Sequence, residues 1–278
     1  IVYLSVLRGM SYREIQDHCK LTYNLSLSTG EIANSLASEA DLLRPVYQTI
    51  FDQLQTEHAC HYDESSWDVH QGGEGNYIWV KTGAMSNNVL FWFGKSRGKG
   101  VAEKLRGSES EQVGITDDYG SYRTLFTNHQ LCWAHPHRKL RDLAQSALLD
   151  ESIRKHCATV YDHFKTLYHD VQDAQTALTT TKHYNHEQHA VLMERFEKIT
   201  IPHPDDPEKL QAIKASLAAR KACYFLCLTI PNIPLDNNKA ERTLRKVVLK
   251  RKKSFGSQTQ KGADVLTILY SVVFSLYW

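Results

Sequence analysis

The chain has 278 residues, 42% apolar and 23% charged, an ordinary globular make-up long enough for one large domain or two modest ones. Its 33 lysines and arginines barely outnumber 31 aspartates and glutamates, so the net charge is only +2 and any basic character is local. Six scattered cysteines form no C-x-x-C pair, which argues against a disulfide scaffold or zinc ribbon and fits a reducing cytoplasm.

No charged-then-apolar leader is visible at the start, and an opening on Ile1 rather than Met reads as a fragment of a longer chain. The late apolar run 265–278 is too short to span a bilayer and reads as a buried helix, so no membrane partner is expected.

Residues 1–58 are expected to be a helical region. Ser11 precedes Tyr12, Ile15 and Cys19, and Ser28-Thr29 with Glu31 precedes Ile32, Leu36 and Ala40, so each serine starts an amphipathic helix. Two helices in this order resemble a helix-turn-helix, but any small bundle gives the same pattern, and packing is the favoured reading.

The character changes at residue 59. "HACHYDESSWDVH", "NYIWVKTGAM" and "NNVLFWFGKS" are β-rich and aromatic, and they predict three strands in a meander, with turns at Gly72-Gly73 and around Asn87-Asn88. "GKGVAEKLRGS" predicts a short helix, "EQVGITDDYGSYRTLF" a fourth strand, a turn and a helix, and "QLCWAHPHRKLRDLA" a fifth strand running into a helix. This order is that of an α/β domain with a mixed sheet. Residues 59–140 are its first part, 141–230 a polar helical insertion, and 231–278 the helices that complete it. "IPNIPLDNN" breaks the insertion with two prolines and offers Asp236 or Asn237 as the N-cap of the helix that follows.

Three carboxylates stand at element ends where distant segments can converge. Asp63, beside Glu64, lies late in the first strand; Asp117 and Asp118 end the fourth; Glu241 lies on the first turn of a late helix. Three convergent carboxylates suit a hard cation such as Mg²⁺ or Mn²⁺. Two such ions can clamp the attacking and leaving oxygens of a phosphoryl displacement. Glu241 sits in "LDNNKAERTLRKVVLKRKK", a run basic enough to hold a phosphate backbone. Each piece also has a plain reading. Glu241 and Arg245 at i,i+4 make a surface pair worth about 0.3–0.5 kcal/mol, Asp63 is a turn residue, and Asp117-Asp118 is an Asx turn. Order and context favour the chemical reading.

Four motifs in sequence, "YDESSW", "ITDDYGSY", "CWAHPHRKL" and "DNNKAERTLRKVVLKRKKSFGS", resemble the DDE transposases of bacterial insertion sequences, specifically the family of insertion sequence sixty-six. The resemblance extends over nearly the whole chain. It implies an RNase H-like catalytic core with a five-stranded mixed sheet, and Asp63, Asp117 and Glu241 as catalytic residues holding a pair of Mg²⁺ (or Mn²⁺) ions. It implies cleavage at transposon ends and transfer of the freed 3′-hydroxyl into target DNA. Double-stranded DNA is the implied partner, with a homo-oligomer as the active complex and accessory transposition proteins as candidate partners, in the bacterial cytoplasm at the nucleoid.

Around Glu241, Lys246, Lys250, Arg251 and Lys252 are the expected backbone contacts, and Arg242 and Arg245 touch DNA or orient Glu241. His135 is expected beside the metal ligands or facing DNA, with a structural histidine as the default. The family has Gly where this chain has Asp118, which leaves Asp117 against Asp118 open, with Tyr119 and Tyr122 favouring Asp117. Cys132 and His135 lack the partner pair a zinc site needs, Trp133 reads as core, and His183, His186 and His189 read as one solvated helix face. A nuclease that cuts without joining and a non-catalytic DNA-binding relic are the alternatives.

Overall fold

Two serines set the start of the helical region in this computed structural model, which describes residues 1–71, 75–107 and 111–277. Ser11 and Ser28 each close a capping box, with Glu14 and Glu31 returning the bond, at the heads of α1 (Tyr12–Tyr23) and α2 (Thr29–Thr56). Along α2 the buried residues Ile32, Leu36, Ala40, Ile50 and Leu54, with half-buried Leu43 and Tyr47 between them, trace one helical stripe.

Five strands follow: β1 (Ala59–Ser66), β2 (Tyr77–Gly83), β3 (Val89–Gly94), β4 (Val113–Thr116) and β5 (His129–Leu131). They form one mixed sheet in the order β3-β2-β1-β4-β5, flanked by helices and consistent with an RNase H-like fold. The turn expected at Gly72-Gly73 lies outside the described residues. Among the described residues the other α-helices are α3 (Lys99–Arg106), α4 (Ala134–Ala144), α5 (Glu151–Thr181), α6 (His186–Thr200), α7 (Glu208–Ala219), α8 (Lys221–Tyr224), α9 (Asn238–Ser254) and α10 (Gln260–Tyr277). None of the described helices is long and apolar enough to cross a membrane.

The chain divides into two compact units, one of Ile1–Gly114, Tyr119–Thr127 and Asn238–Trp278, the other of Ile115–Asp118 and Asn128–Asn237. In the first unit β1, β2 and β3 are covered on both faces, which is why β2 and β3 open on the apolar runs YIWV and VLFWF. Ile78, Val80, Val89 and Phe91 pack with Ala240, Leu244 and Val247 of α9 and Ile268 and Phe274 of α10. Cys60, Tyr62, Trp79 and Leu90 point the other way, towards Leu105 of α3 and Tyr122, Leu125 and Phe126.

The outer edge of β3 is capped by side chains, which blocks pairing with another chain. Ser271 Oγ accepts from the Phe91 amide at 2.7 Å, Ser275 Oγ from the Val89 amide at 2.8 Å, and the Tyr47 hydroxyl donates to the Phe91 carbonyl at 2.9 Å. Lys81, fully buried, donates to the carbonyls of Leu105 and Arg106 at 3.4 and 3.2 Å and so closes the C-terminal end of α3. Burial pushes its ammonium down to about 8.

The second unit is built around Trp133. Its ring lies 5.5–5.6 Å from those of Phe164, Phe196, Tyr224 and Phe225, and its indole N–H donates to the Tyr224 carbonyl at 2.7 Å. Trp133 is therefore core, as its sequence context suggests. A buried ion pair holds the far end, with Lys214 Nζ 2.7 Å from the Asp206 carboxylate, which also accepts from the His203 amide and lies 2.8 Å from His156 Nε2.

Two local expectations need correction. The helix expected after the second aspartate is a series of i,i+3 turns, with the Tyr122 and Leu125 amides bonding the Tyr119 and Tyr122 carbonyls at 3.0 Å. The three histidines do not share a solvated helix face: His183 precedes α6, and His189 is half-buried, its ring stacked 5.7 Å from that of Phe225.

Candidate catalytic site

On β1, period-two alternation sends Asp63 and Glu64 to opposite faces. Asp63 lies opposite Val80 and Glu64 opposite Trp79. Val80 belongs to the core under α9, Trp79 to the core on the other side, so Asp63 stands on the face that α9 covers. The Glu64 amide donates to Asp63 Oδ1 at 2.9 Å, which orients the Asp63 carboxylate.

The helix α9 is tied along this face at both ends. Near its start Lys239 Nζ donates to the carbonyls of Gly83 and Ser86 at 2.7 and 2.6 Å. Near its end Arg251 donates to Ser65 Oγ at 3.1 Å and Ser66 Oγ at 2.6 Å. Between these ties Ala240, Thr243, Leu244, Val247 and Lys250 are buried, and Glu241 lies in the first turn, as expected from sequence. Asp63 and Glu241 are thus carried on one side of the sheet within one unit.

The other helix face is basic. Arg242, Arg245, Lys246, Lys252 and Lys253 are exposed at helical spacing, interrupted by Leu249. Lys253 Nζ lies 3.8 Å from Glu14. Lys250 differs from its neighbours: it is 4% exposed, and its ammonium donates to the Met10 carbonyl and approaches Ser5 Oγ at 3.4 Å. Burial pushes that ammonium down to about 8, against the pull of Glu14. Lys250 therefore directs its ammonium into the fold, and Arg251 engages the end of β1 with part of its guanidinium.

In the second unit Asp117 and Asp118 follow β4. Asp118 accepts from Ser216 Oγ at 3.0 Å and has Arg220 Nε at 3.9 Å, so its carboxylate is engaged by the end of α7 and the residue after it. Thr116 Oγ1 lies 2.8 Å from His129 Nε2, beside Arg220 at 2.9 Å from His129 Nδ1. Burial first, and Arg220 second, push His129 down to about 4.

Two of the sequence motifs meet in this unit: the Trp133 amide donates to the Leu235 carbonyl at 3.0 Å, and the Asn237 amide to Cys132 Sγ at 3.2 Å. His135 is half-buried in the first turn of α4. His137 packs between Tyr161 and Tyr168, at 5.3 and 5.4 Å, and burial lowers its pKa, with Arg141 adding to the shift.

Sequence reasoning missed Arg97, whose guanidinium donates from Nε and Nη2 to Glu64 Oε1 at 2.8 and 2.7 Å. A lone arginine in a Gly/Ser turn carries no signal of that role.

A sequence model described as "Transposase IS66 family" matches residues 1–265. The chain is also 28% identical over 156 residues, 55% of its length, to "Uncharacterized protein y4jO" of Sinorhizobium fredii (strain NBRC 101917 / NGR234). That match spans 44% of the relative, less than half its length. With the motifs in order on a mixed α/β sheet and the family match running over most of its length, the chain belongs to the IS66 family of transposases.

Proposed function

We propose that this chain is the catalytic core of a DDE transposase, a polynucleotidyl transferase that cleaves at transposon ends and joins the freed 3′-hydroxyl to target DNA. The observation that carries the reading is that Asp63 stands on the sheet face covered by α9, the helix that carries Glu241 in its first turn and has a basic outer face. Asp117, followed by Tyr119 and Tyr122, completes the proposed set.

The donor set fits Mg²⁺ or Mn²⁺, since all three side chains are carboxylates, and the Asp63 carboxylate is already oriented by an amide. Two ions bound there would stabilise the attacking and leaving oxygens of the displacement. The chain's own part is to hold those carboxylates in register and to grip the DNA. Arg242, Arg245, Lys246 and Lys252 supply phosphate contacts from the exposed face, whereas Lys250 supports the helix from beneath. His135 is proposed to face the DNA beside the ligands. The active complex is proposed to be a homo-oligomer bridging two DNA ends in the cytoplasm.

Incubating the chain with labelled duplexes carrying the element's terminal repeats and with Mg²⁺ tests this. A nicked product followed by a joined one is expected. Nicking without joining would make the chain a nuclease, and DNA binding without either would make it a relic.

A further inference from the structure

We propose that Glu64 is a positioning residue that sets the register of β1 and the orientation of Asp63, acting through a lock with Arg97 and Tyr122. The inference rests on the reading of Asp63 as a metal ligand. Glu64 is no ligand candidate itself, because its side chain is 1% exposed and points away from the face that carries Asp63.

The lock is drawn from three segments of one unit. Arg97, in the turn between β3 and α3, donates from two nitrogens to Glu64 Oε1 at 2.8 and 2.7 Å. The Tyr122 hydroxyl donates to Glu64 Oε2. The Arg97 guanidinium lies 3.6 Å from the centre of the Tyr119 ring, and the Arg97 carbonyl accepts from Ser121 Oγ at 2.8 Å. Tyr119 and Tyr122 are the tyrosines that follow Asp117 in the "DDYGSY" motif. The strand bearing the first aspartate is therefore pinned to the segment just downstream of the second.

A buried carboxylate is a poor way to gain stability, since an apolar residue of the same volume often does as well. It is an effective way to fix a register. A one-residue slip of β1 would turn Asp63 to the opposite face and leave the Glu64 charge without its partners. The lock also holds the Glu64 backbone, whose amide donates to Asp63 Oδ1 at 2.9 Å. Groups that orient a metal ligand in this way are worth about 10–100-fold in metal affinity.

The test is Mn²⁺ affinity, measured by calorimetry and electron paramagnetic resonance on the full chain, for the wild type, Tyr122→Phe, Glu64→Gln and Leu105→Val. Leu105 lies in the same core and serves as a packing control. Tyr122→Phe removes a single oxygen and should fold. Both lock variants are expected to bind Mn²⁺ about 10–100-fold more weakly, while Leu105→Val lowers the melting temperature and leaves Mn²⁺ affinity unchanged. Wild-type-like affinity in both lock variants, or an equal loss in Leu105→Val, overturns the positioning role. A wild-type chain that binds no Mn²⁺ overturns the ligand assignment beneath it instead.

Discussion

The amide of Glu64 donates to the carboxylate of Asp63 at 2.9 Å, although the two side chains leave β1 on opposite faces. One strand thus presents a carboxylate to the face under α9 and anchors itself through the next residue. Asp63→Ala and Glu241→Ala should each reduce nicking of terminal-repeat duplexes to background while leaving duplex affinity largely intact. Normal nicking by either variant in a gel assay would remove that residue from the proposed ligand set.

Lysines of α9 should separate into two classes. Replacing exposed Lys246 and Lys252 with Gln should weaken DNA binding and flatten its salt dependence, by roughly 0.9 in log–log slope for each phosphate no longer neutralised. Lys250→Met should leave both unchanged, because the Lys250 ammonium is occupied by Met10 and Ser5. Anisotropy titrations at several salt concentrations distinguish the two.

The same lysine should leave a mark on stability. Its folded pKa of about 8 lies below the unfolded value of about 10.4. Between those values the unfolded chain holds the extra proton, so stability should rise with pH across that window. Lys81, also near 8, acts in the same direction. In urea unfolding, Lys250→Met should show a smaller gain than wild type between about pH 8 and 10.

Asp206 and Lys214 should behave as one buried unit. Burial raises the Asp206 pKa, but hydrogen bonds from Lys214, His156 and the His203 amide outweigh it and leave the pKa below its ordinary value. A lowered carboxylate pKa contributes stability that is full above the unfolded value and is lost as pH falls towards the folded one. Acid unfolding of the helical unit should therefore draw on Asp206 below about pH 3.9. Lys214→Met, which strands that charge, should cost about 3–5 kcal/mol by denaturant unfolding at neutral pH.

Gly256, in the "SFGS" that follows α9, has a φ of +97°, and a Cβ there would lie 2.1 Å from the Asp68 carbonyl oxygen. That carbonyl accepts from the Ser257 amide in the short parallel pairing of Val69 with Ser257. Gly256→Ala should cost about 1–3 kcal/mol from the backbone alone, and more from the clash, read as a drop in melting temperature.

Much of this protein was legible without coordinates, because local chemistry decides it. Ser11 and Ser28 announce their helices through the glutamates three residues on, since a capping box is a short-range bond. The aromatic runs of β1 to β3 announce buried strands, and the four ordered motifs announce the IS66 family. The stretch after Asp118 reads as helix in the sequence, but its spacing suits successive turns equally well, and turns are what form.

What the tertiary structure alone decided concerns which face each residue meets. Asp63 and Glu64 are adjacent carboxylates in the sequence, and only the pairing with Val80 and Trp79 tells the carboxylate under α9 from the one locked into the opposite core. Lys246 and Lys250 are alike as letters four residues apart, and only the approach of Met10 and Ser5, some 240 positions away in the chain, takes one out of solvent. Arg97 acquires a role solely because Glu64 is buried beside it. Such roles come from contacts distant in sequence, where the partner's position, and not the residue's own propensity, determines the environment.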